Sequence, residues 1–268
     1  MSGFSADWLA LREPFDRRAR NAAVLDAVAA AFKDLRAIRV VDLACGTGST
    51  LRALTARLNP TQNWTLVDND LSLLARAAGT PRAESVTVIG KPVDLARDLE
   101  AALDGPVDLV TTSALLDLVS APWLERLTVE IAARRIPLYA ALSYDGRVEF
   151  APPDKHDGKI ADAFNVHQRT DKGFGPALGP RAVAQAIARF EALGYAVTQG
   201  PSDWVAGPDD RDFQMEILTG WAGAAREAGV ALSDTADWLT RRRATLAAGT
   251  SSLRVGHVDF FAAPTGTR

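Results

Sequence analysis

The sequence lacks the residues on which several functional classes depend. It has a single cysteine, Cys45, so neither an intrachain disulfide nor a cysteine-based zinc site can form. Its three histidines lie far apart along the chain, and no metal-ligand spacing appears among His156, His167 and His257. We therefore predict no metal site.

Two further absences bear on location and partners. No uninterrupted apolar run approaches the roughly 20 residues of a membrane-spanning helix, and the charged start of the chain does not fit a signal peptide. The chain has 30 Lys and Arg against 33 Asp and Glu, and its net charge of −3 is not the basic excess typical of a nucleic-acid binder. We expect a soluble, cytoplasmic protein, with no membrane partner and no nucleic acid favoured. The oligomeric state is left open.

What is present predicts an α/β fold. Five apolar strands alternate with helices through the first half of the chain, which is typical of a doubly wound parallel sheet. Later strands are predicted from Tyr195 to about Val205 and over 253–262, and two helices between them form an insertion before the last strand. The result is a mostly parallel, seven-stranded sheet. Ligands of such sheets bind at the carboxyl ends of the strands.

Three local predictions accompany this fold. Trp8 to Phe32 reads as helix, with Pro14 expected to divide it into two pieces. A further helix is predicted from Val93 to Leu103, after the third strand.

A glycine-containing turn joins the first strand to the next helix. Gly46 and Gly48 let a ligand approach the backbone closely, because no Cβ intervenes. The third glycine of a dinucleotide-binding turn is missing, since Leu51 stands in its place, and so is the lysine of a phosphate-binding loop. Asp42, just before the turn, suits a ligand that carries an ammonium group.

Asp42, Ala44, Gly46 and Gly48 match the motif D/E-x-G-x-G-x-G, in which only Ala44 departs from the pattern. With this motif the sequence resembles the class I S-adenosylmethionine-dependent methyltransferases. The resemblance implies the fold of that class, S-adenosyl-L-methionine as cofactor and methyl transfer as activity.

The resemblance also implies roles for residues after the next three strands. An acidic residue at Asp68 would hold the ribose hydroxyls, and Asp94 would accept a hydrogen bond from the adenine. Asp70 is a rival for the ribose or a helix cap, and Asp94 is alternatively a cap as well. The complete predicted cofactor-binding set is Asp42, Ala44, Gly46, Gly48, Asp68, Asn69, Asp94, Leu95, Ser113 and Leu116.

The same reading gives the organisation of the chain. We expect one methyltransferase-like domain over 1–268. It comprises a helical segment at 1–35, a cofactor-binding core at 36–145 and a substrate-side half at 146–268 with a lid loop and the helical insertion.

Three residues are candidates for catalysis: Asp117, His167 and Arg169. Asp117 follows the fourth strand, where many relatives place a polar residue, although a cap or an exposed position is an alternative. The polar loop 165–172 follows the fifth strand, where a substrate lid belongs, although a solvated linker is the alternative. His167 could take a proton, and Arg169 with Lys172 could hold a substrate carboxylate.

Two sets of residues are left as secondary candidates. Trp221 and Trp238 of the insertion are the alternative wall of the substrate site. One arginine of the first helical segment could bind the cofactor carboxylate; the candidates are Arg12, Arg17, Arg18 and Arg20.

The leading prediction is methyl transfer to a small polar molecule by in-line displacement. An RNA or protein methyltransferase is an alternative, but the chain has no basic excess, and Thr112-Ser113-Ala114-Leu115 stands where nucleic-acid amino-group methylators carry Asn-Pro-Pro-Tyr. A non-catalytic S-adenosylmethionine-binding module is the other alternative. Leu51 disfavours a dinucleotide-dependent oxidoreductase.

Overall fold

One eight-stranded sheet runs through the computed structural model, which describes residues 4–58, 61–80 and 82–266. Its strands are β1 (Ala37–Leu43), β2 (Thr61–Asp68), β3 (Val86–Pro92), β4 (Leu109–Ser113), β5 (Leu138–Ala151), β6 (Tyr195–Pro201), β7 (Trp204–Ala206) and β8 (Ser252–Pro264). The strand order is β3-β2-β1-β4-β5-β8-β6, and β7 pairs with β8 outside this path. Strands β1 to β5 pair in parallel, whereas β8 is antiparallel to its neighbours.

The helices follow the predicted alternation. They are α1 (Ala6–Ala19), α2 (Ala22–Phe32), α3 (Ser49–Leu54), α4 (Leu71–Ala78), α5 (Leu99–Ala102), α6 (Ala121–Ala133), α7 (Asp157–His167), α8 (Ala182–Ala192), α9 (Arg211–Glu227) and α10 (Leu232–Ala247). Short 3-10 turns cover Leu116–Leu118 and Gly179–Arg181. Among the described residues, no helix combines the length and the apolar composition needed to cross a membrane.

The sheet separates two apolar clusters. Side chains alternate between the faces of a strand, so Ile38 and Val40 of β1 join one cluster while Val41 and Leu43 join the other. The first cluster includes buried residues of α1, α2, α9 and α10, and the second includes those of α6 and α8. The predicted doubly wound, mostly parallel fold with a helical insertion before the last strand is confirmed.

The strand predicted from Tyr195 to about Val205 is in fact two strands, so the sheet has eight strands rather than the predicted seven. Pro201, which has no N–H to donate, ends β6, and Ser202 instead donates its N–H to the carbonyl of His257. The chain then resumes pairing with β8 as the separate strand β7.

Two helix predictions also need correction. Helix α1 continues through Pro14, and the break comes at Asn21, whose side chain accepts the N–H of Val24 and so caps α2. The helix predicted over 93–103 is confined to α5, because the Asp94 carboxylate accepts the N–H of Ala96 and closes a turn there.

The polar segment 165–172 is only partly a loop. Residues 165–167 form the end of α7, which buries Ile160 and Ala163. Its Phe164 ring stacks on Trp221 of α9 at 4.0 Å between centroids. This packing against a distant helix stabilises the helical turn that the local composition did not indicate.

Candidate active site

Two adjoining cavities open at the carboxyl ends of the parallel strands, where the order reverses between β1 and β4. The first has a volume of about 770 Å³ and the second about 470 Å³. Five residues line both cavities, and we call this shared boundary the junction: Phe4, Arg12, Ala114, Leu118 and Lys172.

The glycine turn forms one wall of the first cavity. Ala44, Gly46 and Gly48 have φ angles of 52°, 53° and 84°, in the left-handed region. A Cβ added at Gly46 would lie 3.3 Å from Cδ1 of Leu9, on a backbone that already disfavours a side chain. Gly46 and Ala44 line the cavity, whereas Gly48 allows close packing, since its added Cβ would lie 3.3 Å from Cβ of Ala77.

Asp68 is held at the end of β2 by two backbone groups. Its Oδ2 accepts the N–H of Gly46 at 2.9 Å, and its Oδ1 accepts the N–H of Asp70 at 3.0 Å. A carboxylate has about four lone-pair sites, so each oxygen can accept one further bond from a ligand. Asn69 lines the cavity beside it.

Asp70 also lines the first cavity, but its carboxylate is engaged as the cap of α4. Its Oδ1 accepts the N–H groups of Ser72 and Leu73 at 2.8 and 3.2 Å. The hydrogen bond from the Ser72 hydroxyl is the largest cause that lowers the pKa of Asp70. The capping role left open for Asp70 is therefore what the structure shows.

The far wall of the first cavity comes from the segment after β3. Asp94 and Leu95 line it, and Oδ1 of Asp94 accepts the N–H of Ala96 at 3.0 Å. The Leu95 carbonyl accepts the indole N–H of Trp123 at 2.6 Å, which fixes this segment against α6.

Two predicted cofactor residues besides Gly48 do not line the cavity. Asp42 is buried in β1, where Oδ1 accepts the Thr111 hydroxyl at 2.7 Å and Oδ2 has no partner among the described residues. Burial raises the pKa of Asp42 to about 7. Leu116 is fully buried in the second apolar cluster.

Ser113 lines the first cavity and belongs to a buried network that sequence reasoning missed. The Arg20 guanidinium donates to the hydroxyls of Ser113 and Thr50, both at 3.4 Å, and to Tyr139 at 3.1 Å. The Tyr139 hydroxyl donates in turn to Oδ2 of Asp259 at 3.2 Å. Arg20 therefore lies behind the cavity wall, and no local pattern connects it to Tyr139 or Asp259.

The second cavity has an aromatic wall. Phe164 stacks on Trp221, and the Trp204 ring lies edge-on to Trp8 at 6.2 Å between centroids. Tyr144 completes the set of rings that line this cavity away from the junction. Trp238, the other Trp residue suggested for a substrate wall, does not line the cavity. It is fully buried and donates its indole N–H to Asp157.

Two buried polar side chains enter this aromatic wall. Asp117 has an Oδ1 without a partner among the described residues, and burial raises its pKa to about 6. His257 has Nδ1 3.0 Å from the carbonyl oxygen of Val255, which can only accept. The Nδ1 therefore carries the hydrogen and Nε2 is free to accept. Burial, and then the charge of Arg12, lowers the pKa of His257 to about 3, so the ring is neutral.

The remaining catalytic candidates are placed differently. His167 lines the second cavity, with Nε2 at 2.9 Å from Glu227 and Nδ1 at 3.3 Å from the Lys172 ammonium. Arg169 is not among the described residues that line either cavity; its Cγ would lie 3.1 Å from a Cβ added at Gly179. His257 was missed because it lies within a strand with no motif around it.

The part of the chain that the structure describes contains no group of three or more His, Cys, Asp or Glu side chains that could hold a metal ion.

Comparisons with known proteins agree with this geometry. Residues 40–135 match the model of a methyltransferase domain. The fold is similar to that of a cyclopropane-fatty-acyl-phospholipid synthase-like protein from Lactobacillus casei, 17% identical with a TM-score of 0.54 over 97% of this chain and 94% of that one. It is also similar to the YcgJ protein from Bacillus subtilis, 14% identical with a TM-score of 0.50 over 92% and 100% of the two chains. No curated protein is significantly similar in sequence.

Proposed function

We propose that this chain, which has a methyltransferase domain, is a class I S-adenosylmethionine-dependent methyltransferase that binds its cofactor in the first cavity and methylates a small molecule held in the second. The acceptor would have a planar, largely apolar body and a polar group that faces the junction. This differs from the small polar substrate expected from the sequence, because five aromatic side chains line the second cavity away from the junction and Phe4 lines it at the junction.

The residues of the first cavity fit the cofactor. Gly46 leaves space for a close approach of the methionine end, and Asp68 has lone pairs for a vicinal diol. In this proposal Asp94 accepts a hydrogen bond from the adenine amino group. When bound, S-adenosylmethionine supplies an electrophilic methyl group on a positively charged sulfur.

One observation carries the proposal for the acceptor: the second cavity meets the first at the junction and is lined by aromatic rings. Its volume of about 470 Å³ lies in the range of about 300–1,000 Å³ that is usual for small-molecule sites. A cavity of this size admits a small molecule but not the body of a polymer.

The polar side chains of the second cavity have distinct proposed roles. Asp117, with a pKa of about 6 and an unpartnered oxygen, accepts a proton from an O–H or N–H acceptor group. Nε2 of His257 accepts a hydrogen bond that orients the substrate. The aromatic rings hold the substrate plane in place and exclude water from the displacement. His167 lines this cavity without a proposed role, and Arg169 has no part in this proposal.

The test uses a radiolabelled methyl donor and a cell extract separated into small-molecule and macromolecular fractions. We expect label to enter the small-molecule fraction. Trp221→Ala should lower this transfer at least about tenfold while leaving the affinity for S-adenosylhomocysteine within about twofold. Trp221→Phe, which keeps a ring, should retain more transfer than Trp221→Ala.

Label that appears only in protein or RNA would contradict the proposal. So would a Trp221→Ala variant that transfers methyl groups at the wild-type rate.

A further inference from the structure

The geometry points to an acceptor substrate that carries a carboxylate, bound at the junction between Arg12 and Lys172. This inference rests on the proposed function of the second cavity and specifies the chemical class of its ligand: a planar aromatic acid.

Arg12 is a buried cation whose binding groups are not used up by the protein. Its side chain is 8% exposed, and only Nε has a partner, Oδ2 of Asp16 at 3.0 Å. The other oxygen of Asp16 accepts the indole N–H of Trp204 at 2.8 Å. The two terminal NH₂ groups of Arg12 have no hydrogen-bond partner among the described residues, although Arg12 lines both cavities.

Lys172 supplies a second cation at the same boundary. Its Nζ lies 3.3 Å from Nδ1 of His167, and no carboxylate of the described chain lies within ion-pair distance of it. Glu227, whose charge acts on Lys172, is engaged with Nε2 of His167 at 2.9 Å. Desolvation lowers the pKa of Lys172, so an anion beside it would stabilise the charged form.

The position of Arg12 favours the acceptor rather than the cofactor as the source of the carboxylate. Its Cζ lies 5.5 Å from the ring centroid of Trp204, which lines only the second cavity. Its charge also lowers the pKa of both His257 and Asp117, which line only the second cavity. Asp16, the partner of Arg12 Nε, lines the first cavity, but the field of Arg12 also acts in the second cavity, where the acceptor is proposed to bind.

The planar fork of a guanidinium matches the two oxygens of a carboxylate, and an ammonium adds a point charge beside it. With the aromatic rings around it, this pair of cations selects an aromatic acid over its neutral isostere.

The experiment compares two probes of nearly equal size and shape, indole-3-acetate and indole-3-acetamide. Each is titrated by calorimetry into the wild-type protein saturated with S-adenosylhomocysteine. We expect indole-3-acetate to bind at least about tenfold more tightly, since a charge-assisted bidentate pair is lost in the amide. Arg12→Met should remove the preference, and Lys172→Met should reduce it. Arg76→Met changes an exposed arginine of α4 that is not among the described residues lining either cavity, and it should leave the preference at the wild-type value.

The outcomes separate this inference from the proposed function. The inference would be overturned if the saturated wild-type protein bound the two probes equally or bound neither. This test needs only the wild-type protein. The inference is also overturned if Arg12→Met weakens S-adenosylhomocysteine but not 5′-methylthioadenosine, because the carboxylate is then the cofactor's. Failure of the wild-type protein to bind S-adenosylhomocysteine would instead overturn the proposed function.

Discussion

Asp117 is buried in the wall of the second cavity, and burial is the main cause that raises its pKa from 3.8 to about 6. The folded protein therefore holds this proton more tightly than the unfolded chain does. Between these two pKa values the contribution of Asp117 to the free energy of unfolding falls as pH rises. Over about two pH units the loss in free energy of unfolding amounts to roughly 3 kcal/mol.

We predict that Asp117→Asn gains stability relative to wild type when the pH is raised through 6, because the asparagine cannot ionise. Urea unfolding of both proteins on either side of that pH measures the change. His257 gives a comparison of opposite sign: its pKa is lowered from 6.5 to about 3, so its contribution is lost as pH falls between these values. If the difference in free energy of unfolding between wild type and Asp117→Asn did not vary with pH, the account would be contradicted.

Ala44 is the one departure from the glycine motif, and its φ of 52° is in the left-handed region. That conformation costs a residue with a Cβ about 1–2 kcal/mol, whereas glycine costs about 0.5–1 kcal/mol in lost chain entropy. We predict that Ala44→Gly leaves the free energy of unfolding unchanged or raises it by up to about 1 kcal/mol.

Ala140→Gly is the matched control for this prediction, since Ala140 is fully buried in β5 and has no positive φ. It should lower stability by roughly 1–2 kcal/mol. Equal losses in the two variants, measured by chemical denaturation, would show that Ala44 is not strained.

Residues could be predicted where the signal lies within one strand, turn and helix. Gly46 and Asp68 lie where their strands end, so their place on the first cavity could be expected from order alone. Asp70 was ambiguous, because the same residue type caps a helix or binds a ligand. The network of Arg20 could not be predicted, since its partner Tyr139 is distant in the sequence, and His257 lies within a strand with no motif around it.

At the scale of elements, α1 contains one buried ion pair, Arg12–Asp16, and is joined to the rest of the molecule by the hydrogen bond from Trp204 to Asp16 and by a partly exposed ion pair. Asp16 is 2% exposed and holds both Arg12 and Trp204. Glu13 pairs with Arg52, and these side chains are 27% and 30% exposed. The two pairs lie on the same helix but in different dielectric surroundings.

We predict that Asp16→Asn lowers the free energy of unfolding by about 3 kcal/mol, because it leaves the buried Arg12 charge without its counterion. Glu13→Gln should cost about 1 kcal/mol or less, since water screens the exposed pair. Guanidinium unfolding of the two variants measures both values. The reverse order of the two losses would show that α1 is not anchored through Asp16.

The elements themselves were largely predictable, and the misses have a common cause. Apolar runs and alternation identify the strands because each strand is buried within one sheet. Pro14 did not end α1, and residues 165–167 joined α7, because packing of these helices against other parts of the molecule overrode the local preference.

At the scale of the whole molecule, the second cavity needs segments from both ends of the chain. α1 contributes Trp8 and Arg12, α7 contributes Phe164, α9 contributes Trp221 and β8 contributes His257. We therefore keep the proposal that residues 1–268 act as a single domain, since the proposed acceptor site exists only when these segments meet. Strand order predicts where such a site opens, but the lining depends on tertiary contacts that no single segment encodes.

The central claim is that the first cavity binds the methyl-donor cofactor, and calorimetric titration of S-adenosylhomocysteine tests it most directly. We predict one site per chain in the wild-type protein. Gly46→Val should show no detectable binding of S-adenosylhomocysteine while keeping the wild-type circular dichroism spectrum, because a branched side chain would fill the space beside Leu9 where the ligand is proposed to lie. Asp68→Ala should lose about 1.5–3 kcal/mol of binding free energy. A wild-type protein that does not bind, or a folded Gly46→Val variant with undiminished affinity, would contradict the account.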